Sequence, residues 1–503
     1  MSTVEATHLR TYGHFIGGRA VPPSDTTFER ISPADGRVLA TYTAGTRADA
    51  LGAVAVARTA FDEGEWPHWT AMDRGRALLR CAGRMREHEE HLARIDAEET
   101  GKPITLARGD VAASIELFEY AAALAMTMHG EAHTALGDDC TAMVVREPAG
   151  VVGMIIPWNF PLLLLAQKLP FALGAGCTAV IKPAEFTSGT ALELARLLTE
   201  AGVPDGVVNV VTGAGSVVGA PLAESPFVDI LSFTGSTETG KRIVEASAGS
   251  VKRLSMELGG KAASVVFADA DLDDALDGVL FGVFFNQGEC CVSGARLLIQ
   301  DSIADAFLSR LVEAAGRITV GGPLDEASEL GPMIDAGHLA NVLGHIDAAR
   351  RGGATVLTGG ERLDGENWGR GHFVAPTILD GVGEESAAFQ EEIFGPVLTV
   401  TRFSDVDHAI RLANATEYGL AGSIWTKNID KALRVAREMR SGRVWVNTTI
   451  DGAPQLPAGG MKQSGFGREM GQAGFDEFTD VKTIQIRTGP RTRVFPNWTG
   501  GNR

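Results

Sequence analysis

The chain has 503 residues, with 45 Lys and Arg against 63 Asp and Glu, a formal net charge of −18 and 45% hydrophobic residues. Such a chain can bury a large core, so dominant disorder is excluded, and its length corresponds to roughly three domains. The acidic balance argues against nucleic acid as the main partner, and five cysteines with no CxxC or zinc spacing argue against a disulfide framework or a metal site.

The N-terminal sequence and the apolar stretches of the chain predict its cellular compartment. The N-terminal sequence has no apolar core of a signal peptide, and no stretch reaches the ~18 apolar residues of a membrane span. We therefore expect a cytoplasmic protein that does not enter the membrane.

In chain order, helical periodicity comes first, over Ala48–Phe61 and Asp73–Thr100, and the chain then alternates between short β-branched runs and amphipathic stretches. That alternation predicts βαβ units and a parallel sheet covered on both faces. The elements predicted there are strands Val151–Ile156, Thr178–Lys182, Val207–Val211 and Val228–Thr234, helices Leu162–Gly176 and Thr187–Ala201, and a helix that starts after Gly235.

A second α/β block is predicted from about residue 262 to 447. Its predicted elements are strands Ala263–Phe267, Arg296–Ile299, Ser423–Thr426 and Arg443–Asn447 and the helix Leu272–Phe285. The alternating segment Val481–Arg487 predicts a late strand, which either pairs with another chain or forms a free tail.

Several polar or glycine residues follow directly on predicted strands: Asn159, Lys182, Gly213 and Gly235. In an α/β sheet, ligands bind outside the carboxyl ends of the strands. This shared position is the strongest indication of a site that comes from the residues alone.

Two residues could carry covalent chemistry. Cys291 is either a buried small hydrophobic residue or a thiolate nucleophile. Glu257, which is followed by apolar Leu258 and two glycines, is either an ion-paired or surface carboxylate or a general base with a raised pKa. Both interpretations remain open at this point.

Eight segments together resemble the NAD(P)-dependent aldehyde dehydrogenase superfamily, in the order typical of that family and over essentially the whole chain. In type they are similar to hydrolytic, non-acylating members such as betaine aldehyde and general aldehyde dehydrogenases. The segments are PWNFP (157–161), KPAE (182–185), FTGSTETG (233–240), MELGGK (256–261), FFNQGECC (284–291), EEIFGPV (391–397), WVN (445–447) and GGMKQSGFGRE (459–469).

The resemblance implies a catalytic role for five residues. Cys291 would attack the aldehyde carbon, and the Asn159 amide with the Cys291 backbone N–H would stabilise the oxyanion. Glu257 would activate the water that hydrolyses the thioester. Lys168 and Glu469 match positions on a proton path from that base.

The resemblance also implies NAD as cofactor and no metal. Because the Glu185 carboxylate can accept both ribose hydroxyls but repels a 2′-phosphate, we expect NAD to be preferred over NADP. The implied cofactor residues are Ile156, Trp158, Lys182, Glu185, Gly215, Gly219, Phe233, Gly235, Ser236, Leu258, Gly259, Glu392 and Phe394.

The substrate is a small-molecule aldehyde, and the expected tunnel residues are Phe160, Gln167, Phe285 and Ala458. Two aromatics, one amide and one alanine predict a wide, partly polar tunnel and not an aromatic cage for an ammonium group. Trp445 or the 450–456 segment could fill the gap, so betaine aldehyde or another ω-amino aldehyde remains an alternative substrate.

Two other functions are weighed. A CoA-acylating semialdehyde dehydrogenase would not need Glu257, and a non-catalytic scaffold would not need the complete set of catalytic residues. The expected fold is α/β, with a Rossmann-like NAD-binding domain (1–126 and 149–259), an α/β catalytic domain (260–460) and a small β oligomerisation element with a C-terminal tail (127–148 and 461–503). The resemblance implies a homodimer or homotetramer.

Overall fold

The computed structural model describes residues 10–365 and 368–490. Residues 10–148 form small strands and then four long helices. The first helix begins at Thr46, whose side chain and that of Asp49 form a capping box. The elements are strands β1 (Arg10–Tyr12), β2 (Phe15–Ile16), β3 (Arg19–Ala20), β4 (Thr27–Ile31), β5 (Val38–Thr43), β6 (Glu131–His133) and β7 (Cys140–Pro148), and helices α1 (Arg47–Asp62), α2 (Ala71–Glu87), α3 (Glu89–Thr100) and α4 (Ile104–Thr127).

Residues 151–257 contain the alternating strands and helices that the sequence predicts. They are β8 (Val151–Ile155), α5 (Pro161–Ala166), α6 (Leu169–Ala175), β9 (Thr178–Lys182), α7 (Gly189–Glu200), β10 (Val208–Val210), α8 (Ala220–Glu224), β11 (Ile230–Thr234), α9 (Thr237–Ser247) and β12 (Arg253–Glu257). Strands β10, β9, β8, β11 and β12 pair in parallel in that order. The chain therefore reverses its direction of winding between β8 and β11, the kind of position where α/β sheets bind ligands.

Apolar clusters cover both faces of this sheet. Helices α2, α4, α6 and α7 pack on one face, while α1, α8 and α9 pack on the other. Strands with both faces covered are buried along their whole length, as β8 and β9 are, and the central residues of both are apolar. This rigid layer fixes the positions of the loops that follow each strand.

Residues 263–446 form the second α/β unit. Its elements are β13 (Ala263–Val266), α10 (Leu272–Phe284), β14 (Arg296–Gln300), α11 (Ala304–Ala315), α12 (Ala336–Arg351), β15 (Thr355–Thr358), β16 (Thr377–Asp380), α13 (Ala387–Gln390), β17 (Val397–Phe403), α14 (Val406–Ala413), β18 (Tyr418–Gly419), β19 (Ala421–Trp425), α15 (Ile429–Glu438) and β20 (Arg443–Val446). Seven strands form one sheet in the order β15-β16-β17-β14-β13-β19-β20, with a buried cluster on each face.

The C-terminal part connects the units. It contains β21 (Met461–Lys462), β22 (Gly465–Phe466), α16 (Gly471–Asp476) and β23 (Thr479–Arg487). Strand β22 pairs with β12 of the first sheet, and β23 pairs along its whole length with β7, which also pairs with β6. The late strand is therefore not a free tail, and the predicted small β element exists as a three-stranded sheet. The domain boundaries stay a prediction, and the tail from residue 491 lies outside the described residues.

The α/β fold is as expected, with two differences in the helices. The predicted helix Leu162–Gly176 is two helices, because Pro170 lacks the N–H that would continue α5 and instead occupies the first turn of α6. The predicted stretch Asp73–Thr100 is also divided, at His88. The first break has a functional consequence, since it turns Lys168 into the interior, where it is completely buried.

Within the described ranges, no helix combines the length and the apolarity that a membrane crossing requires.

Candidate functional site

A cavity of about 290 Å³ brings together most of the residues to which the resemblance assigns chemistry. Cys291, Glu257 and Glu469 line it, and so do all four residues of the predicted tunnel. The other lining residues used below are Glu116, Thr234, Cys290, Arg443, Ile450, Gly452, Ala453 and Pro454. Residues scattered over 350 positions of sequence thus share one small enclosed space.

Cys291 lies on a loop with unusual backbone geometry. Helix α10 ends at Phe284, and Asn286 and Gln287 then take left-handed conformations, with φ of 51° and 57°. Gly288 also has a positive φ of 72°, and a Cβ there would lie 2.1 Å from the Gly395 carbonyl oxygen. Only glycine therefore lets this loop approach the strand that follows Gly395. Backbone outliers of this kind are often kept at functional sites.

Asn159 sits in the turn after β8 and contacts the nucleophile loop. Its Nδ2 donates a hydrogen bond of 3.0 Å to the Glu289 carbonyl oxygen, and Asn286 Nδ2 donates to the same oxygen. These bonds fix the amide beside Cys291. A primary amide carries two N–H groups, so a second one remains for an oxyanion.

Glu257 ends strand β12 and faces the cavity. It is buried, and its Oε1 has no hydrogen-bond partner among the described residues. Burial raises the pKa of the Glu257 carboxyl to about 7, and the Lys168 charge opposes this shift. A carboxyl with this pKa can both accept and release a proton near neutral pH.

Burial raises the pKa of the Cys291 thiol well above its ordinary value, and the neighbouring Cys290 and the charges of Glu392 and Glu257 add to the shift. The thiol must therefore lose its proton before the sulfur can attack a carbonyl carbon.

Lys168 and Glu469 are in direct contact through Nζ and Oε1. Burial lowers the pKa of Lys168 to about 7, while Glu257 and Cys291 raise it. The backbone N–H and C=O groups of Glu469 pair with those of Ala458, which places the carboxylate at the cavity wall. Three titratable groups thus lead from the cavity into the interior.

The predicted cofactor residues lie at the carboxyl ends of five parallel strands. Ile156 and Trp158 follow β8, Lys182 and Glu185 follow β9, Gly215 and Gly219 follow β10, Phe233, Gly235 and Ser236 end or follow β11, and Leu258 and Gly259 follow β12. The Ile156 N–H donates to the Lys182 carbonyl oxygen, and the Gly235 N–H donates to that of Glu257. These residues therefore form one continuous edge of the sheet, at the carboxyl ends of its strands.

Lys182 is almost completely buried along the glycine turn after β10. A Cβ at Gly219 would lie 3.9 Å from Lys182 Cδ, and one at Gly215 would lie 4.0 Å from Nζ. Burial lowers the pKa of Lys182 to about 8, and the nearby Glu185 carboxylate raises it. Glu185 itself is exposed at the mouth of this groove.

Glu392 reaches the same groove from the second unit. Its Oε1 accepts a hydrogen bond of 2.9 Å from the Gly260 N–H, and a Cβ at Gly259 would lie 2.4 Å from Oε2. Burial raises the pKa of the Glu392 carboxyl to about 7. The neighbouring Phe394 has a φ of 58° and packs edge to face on Trp158 at 5.4 Å. The groove is therefore closed by residues from both units.

Ser236 is the N-cap of α9, and its hydroxyl accepts a hydrogen bond from the Thr239 N–H. The residue is exposed at the first turn of a helix of 11 residues. Backbone N–H groups at such a position can bind a phosphate group.

The tunnel wall is built on a stacked aromatic pair. The rings of Phe160 and Phe285 are 5.7 Å apart with an interplanar angle of 21°. Lys102 Nζ, completely buried and in contact with Asp110, lies 4.2 Å from the centre of the Phe160 ring. Gln167 and Ala458 line the same cavity without adding aromatic surface, and the assignment of these four residues to a substrate tunnel stays a prediction.

The structure adds residues that the sequence did not single out. Arg443, the first residue of β20, lines the cavity, as do Gly452 and Glu116. Trp445 does not line it; its Nε1 instead donates a hydrogen bond to the Asp451 carbonyl oxygen and holds the loop. The sequence contained one indication of the position of Arg443. It lies two residues before Trp445 on a predicted strand, and side chains at that spacing share a face.

Glu289 is directed away from the thiol. Its Oε1 accepts a hydrogen bond of 2.9 Å from the Ile334 N–H, and burial raises the pKa of its carboxyl well above the ordinary value. Burial therefore favours the neutral form of this carboxyl, which supports the loop from below. No group of three side chains suited to a metal ion occurs in the part of the chain that the structure describes.

Comparison with known proteins gives consistent matches over the whole chain. The sequence model of the aldehyde dehydrogenase family matches residues 20–484. Betaine aldehyde dehydrogenase from Bacillus subtilis (strain 168) is 44% identical over 460 residues, 92% of this chain and 94% of that protein. Aldehyde dehydrogenase family 2 member C4 from Arabidopsis thaliana is 41% identical over 486 residues, 96% of each chain.

Solved structures agree in fold. The NAD-dependent aldehyde dehydrogenase from Sinorhizobium meliloti matches with a TM-score of 0.95 and 45% identity, over 96% of each chain. Betaine aldehyde dehydrogenase from Staphylococcus aureus in complex with NAD+ matches with a TM-score of 0.95 and 38% identity, over 98% of each chain.

Proposed function

Because the chain belongs to the aldehyde dehydrogenase family, it is an oxidoreductase that acts on aldehydes, and we propose that Cys291, Glu257 and Asn159 carry out the reaction. The observation that carries this proposal is their convergence, since the thiol and the carboxyl line one cavity and the Asn159 amide is fixed beside the nucleophile loop. The products are a carboxylate, NADH and two protons, from an aldehyde, NAD and water.

In the first step the Cys291 thiolate, formed by loss of the thiol proton to water, attacks the aldehyde carbon, which forms a C–S bond and moves the carbonyl electron pair onto oxygen. The second Asn159 N–H and the Cys291 backbone N–H donate hydrogen bonds to this oxyanion. NAD would supply the hydride acceptor here, and loss of hydride from this carbon leaves a thioester on Cys291.

Glu257 completes the cycle by hydrolysis. Its deprotonated carboxylate takes a proton from water, and the resulting hydroxide attacks the thioester carbon and expels the Cys291 thiolate, which gives the carboxylic acid. The proton on Glu257 then leaves through Lys168 and Glu469, which are in contact with each other, and the acid loses its own proton to solvent. Because a base lies in the cavity, transfer of the acyl group to water is favoured over its transfer to CoA. The same base argues against a non-catalytic scaffold.

The residues present fit NAD. The glycines at 215 and 219 leave an open groove over Lys182, and exposed Ser236 begins a helix that could bind the pyrophosphate. Lys182 and Glu185 would hold the adenosine ribose, and Glu392 with Phe394 would hold the nicotinamide ribose. The relatives crystallised with NAD+ share this fold.

Glu185 is expected to select NAD over NADP. Removing its charge in Glu185→Ala should lower the ratio of kcat/KM for NAD to that for NADP by about tenfold, or ~1.4 kcal/mol. Exposed Glu238→Ala on α9 serves as a control for the change in net charge. An unchanged ratio of kcat/KM for NAD to that for NADP in Glu185→Ala would contradict the assignment of Glu185 to cofactor selection.

The function is tested by NADH absorbance with a panel of linear, aromatic and amino aldehydes. We expect the wild-type enzyme to form NADH and the corresponding acid in equal amounts without CoA. Formation of NADH only when CoA is added would indicate an acylating enzyme, and no turnover with any aldehyde would indicate a scaffold.

Betaine aldehyde is the second candidate substrate, because a relative of that name is 44% identical. The stacked rings of Phe160 and Phe285 offer part of a cation site. Gln167, Ala458 and the Arg443 guanidinium in the same cavity disfavour an ammonium group. A general or an anionic aldehyde is therefore favoured over betaine aldehyde.

Self-association through the three-stranded sheet is proposed from its exposed apolar side chains. Val481, Ile484 and Ile486 of β23 and Met143 of β7 are 36–61% exposed. A sheet edge of this kind can bury its surface against a second copy. We expect light scattering to give a dimer or tetramer for the wild type and a smaller species for Ile484→Asp; an unchanged mass would contradict this interface.

A cytoplasmic location is also proposed, since all five cysteines are free.

A further inference from the structure

Arg443 places a positive charge in the substrate cavity beside the catalytic groups. Its side chain lines the cavity together with Cys291 and Glu257. Its Nη2 is buried and has no hydrogen-bond partner among the described residues. A buried guanidinium nitrogen without an acceptor is costly, so its retention here calls for a ligand that supplies one.

The guanidinium is held in place before any ligand binds. It lies over the Trp445 ring at 5.7 Å, and Trp445 Nε1 donates a hydrogen bond of 2.6 Å to the Asp451 carbonyl oxygen. Strand β20 fixes the backbones of both residues. An arginine held in this way loses little side-chain entropy when it binds an anion.

Small residues on the facing loop leave room for a ligand next to Arg443. A Cβ at Gly452 would lie 3.5 Å from Arg443 Nη1, so a larger side chain at 452 would occupy the space around the guanidinium. Ala453 and Ala458 line the same side of the cavity. The aromatic pair of Phe160 and Phe285 supplies apolar surface for the remainder of a substrate.

The carboxylates near the cavity leave this charge available. Burial lowers the pKa of Arg443, and the nearby Cys291 and Glu257 raise it. Glu116 also lines the cavity, but it is exposed to solvent, where its charge is screened. Neither makes an ion pair with Arg443 within 4.0 Å.

We propose that Arg443 selects aldehydes that carry a carboxylate group, which it binds through its free guanidinium edge while the aldehyde carbon faces Cys291. A planar guanidinium matches a carboxylate with two parallel hydrogen bonds. The proposal deepens the proposed function and rests on it, because it names the substrate class of the same cavity.

The test compares an acid with its neutral analogue. Succinic semialdehyde and its methyl ester are assayed for kcat/KM in the wild type, in Arg443→Met and in Arg351→Met, an exposed arginine on α12 that controls for net charge. We expect the wild type and the control to prefer the acid at least about tenfold, equal to ~1.4 kcal/mol, and Arg443→Met to lose this preference mainly through KM.

Inhibition of the wild type gives a measurement that needs no folded variant. Succinate should compete with the aldehyde, whereas butanediol at the same concentration should not. Equal inhibition by both, or a wild-type preference for the ester, would overturn the proposal.

Two further outcomes separate this proposal from the proposed function. An equal fall of kcat for acid and ester in Arg443→Met would indicate that Arg443 positions Glu257, and would overturn its role in specificity while the proposed function stands. Failure of the wild type to oxidise any aldehyde, neutral ones included, would overturn both.

Discussion

Cys291→Ala is expected to lower kcat/KM for aldehyde oxidation by on the order of 10⁴-fold or more, because it removes the sulfur that forms the covalent intermediate. The variant should still bind NAD, since Cys291 lies at the end of the cofactor groove and not within its strand-end wall. Steady-state NADH formation and NAD titration by protein fluorescence measure the two effects.

Cys290 provides the matched control for that variant. It is the adjacent residue, and its side chain is buried, whereas Cys291 is partly exposed. Cys290→Ala should keep most of the activity. The reverse result, with Cys290→Ala inactive and Cys291→Ala active, would show that Cys290 is the nucleophile and would contradict the assignment to Cys291.

Glu257→Gln has the second-largest expected effect. We expect about one equivalent of NADH per site in a fast burst and then turnover that is slower by roughly 10²–10⁴-fold, because the amide cannot take the proton from water. Stopped-flow NADH absorbance separates the two phases. Exposed Glu245→Gln on α9 is the control, and loss of the burst in Glu257→Gln would show that the carboxylate acts before hydride transfer.

The same residue sets the expected pH dependence. Glu257 acts as a base only when deprotonated, and burial raises its pKa to about 7. The rate of thioester hydrolysis should therefore rise as the pH increases through about 7 and fall below it. A hydrolysis rate that stays constant from pH 5.5 to 8 would contradict this role for Glu257.

The fold was largely predictable because its determinants are local. Strands such as Thr178–Lys182 are buried along their whole length and have apolar central residues, and the residues after them fall at one edge by topology. The motifs around Asn159, Glu257 and Cys291 show the similarity to a family. For Asn159 and Glu257, position at the end of a strand was almost enough to place the side chain, whereas Cys291 lies on a loop after α10.

The remainder depends on contacts distant in sequence. The direction of the Glu289 carboxyl is set by the Ile334 N–H, and the contact of Lys168 with Glu469 requires α6 to meet the C-terminal segment. Arg443 lines the cavity next to Gly452 of the loop that follows its strand. In each of these cases the local sequence does not indicate which residue makes the contact, so only the folded structure shows it.

The central claim is that Cys291 carries the acyl group and Glu257 removes it. Its most direct test is mass spectrometry of Glu257→Gln quenched after mixing with NAD and an aldehyde. The account predicts a mass increase equal to one acyl group, located on the peptide that contains Cys291 and absent in the double variant with Cys291→Ala. An unmodified protein after the NADH burst, or an acyl group on any other residue, would contradict it.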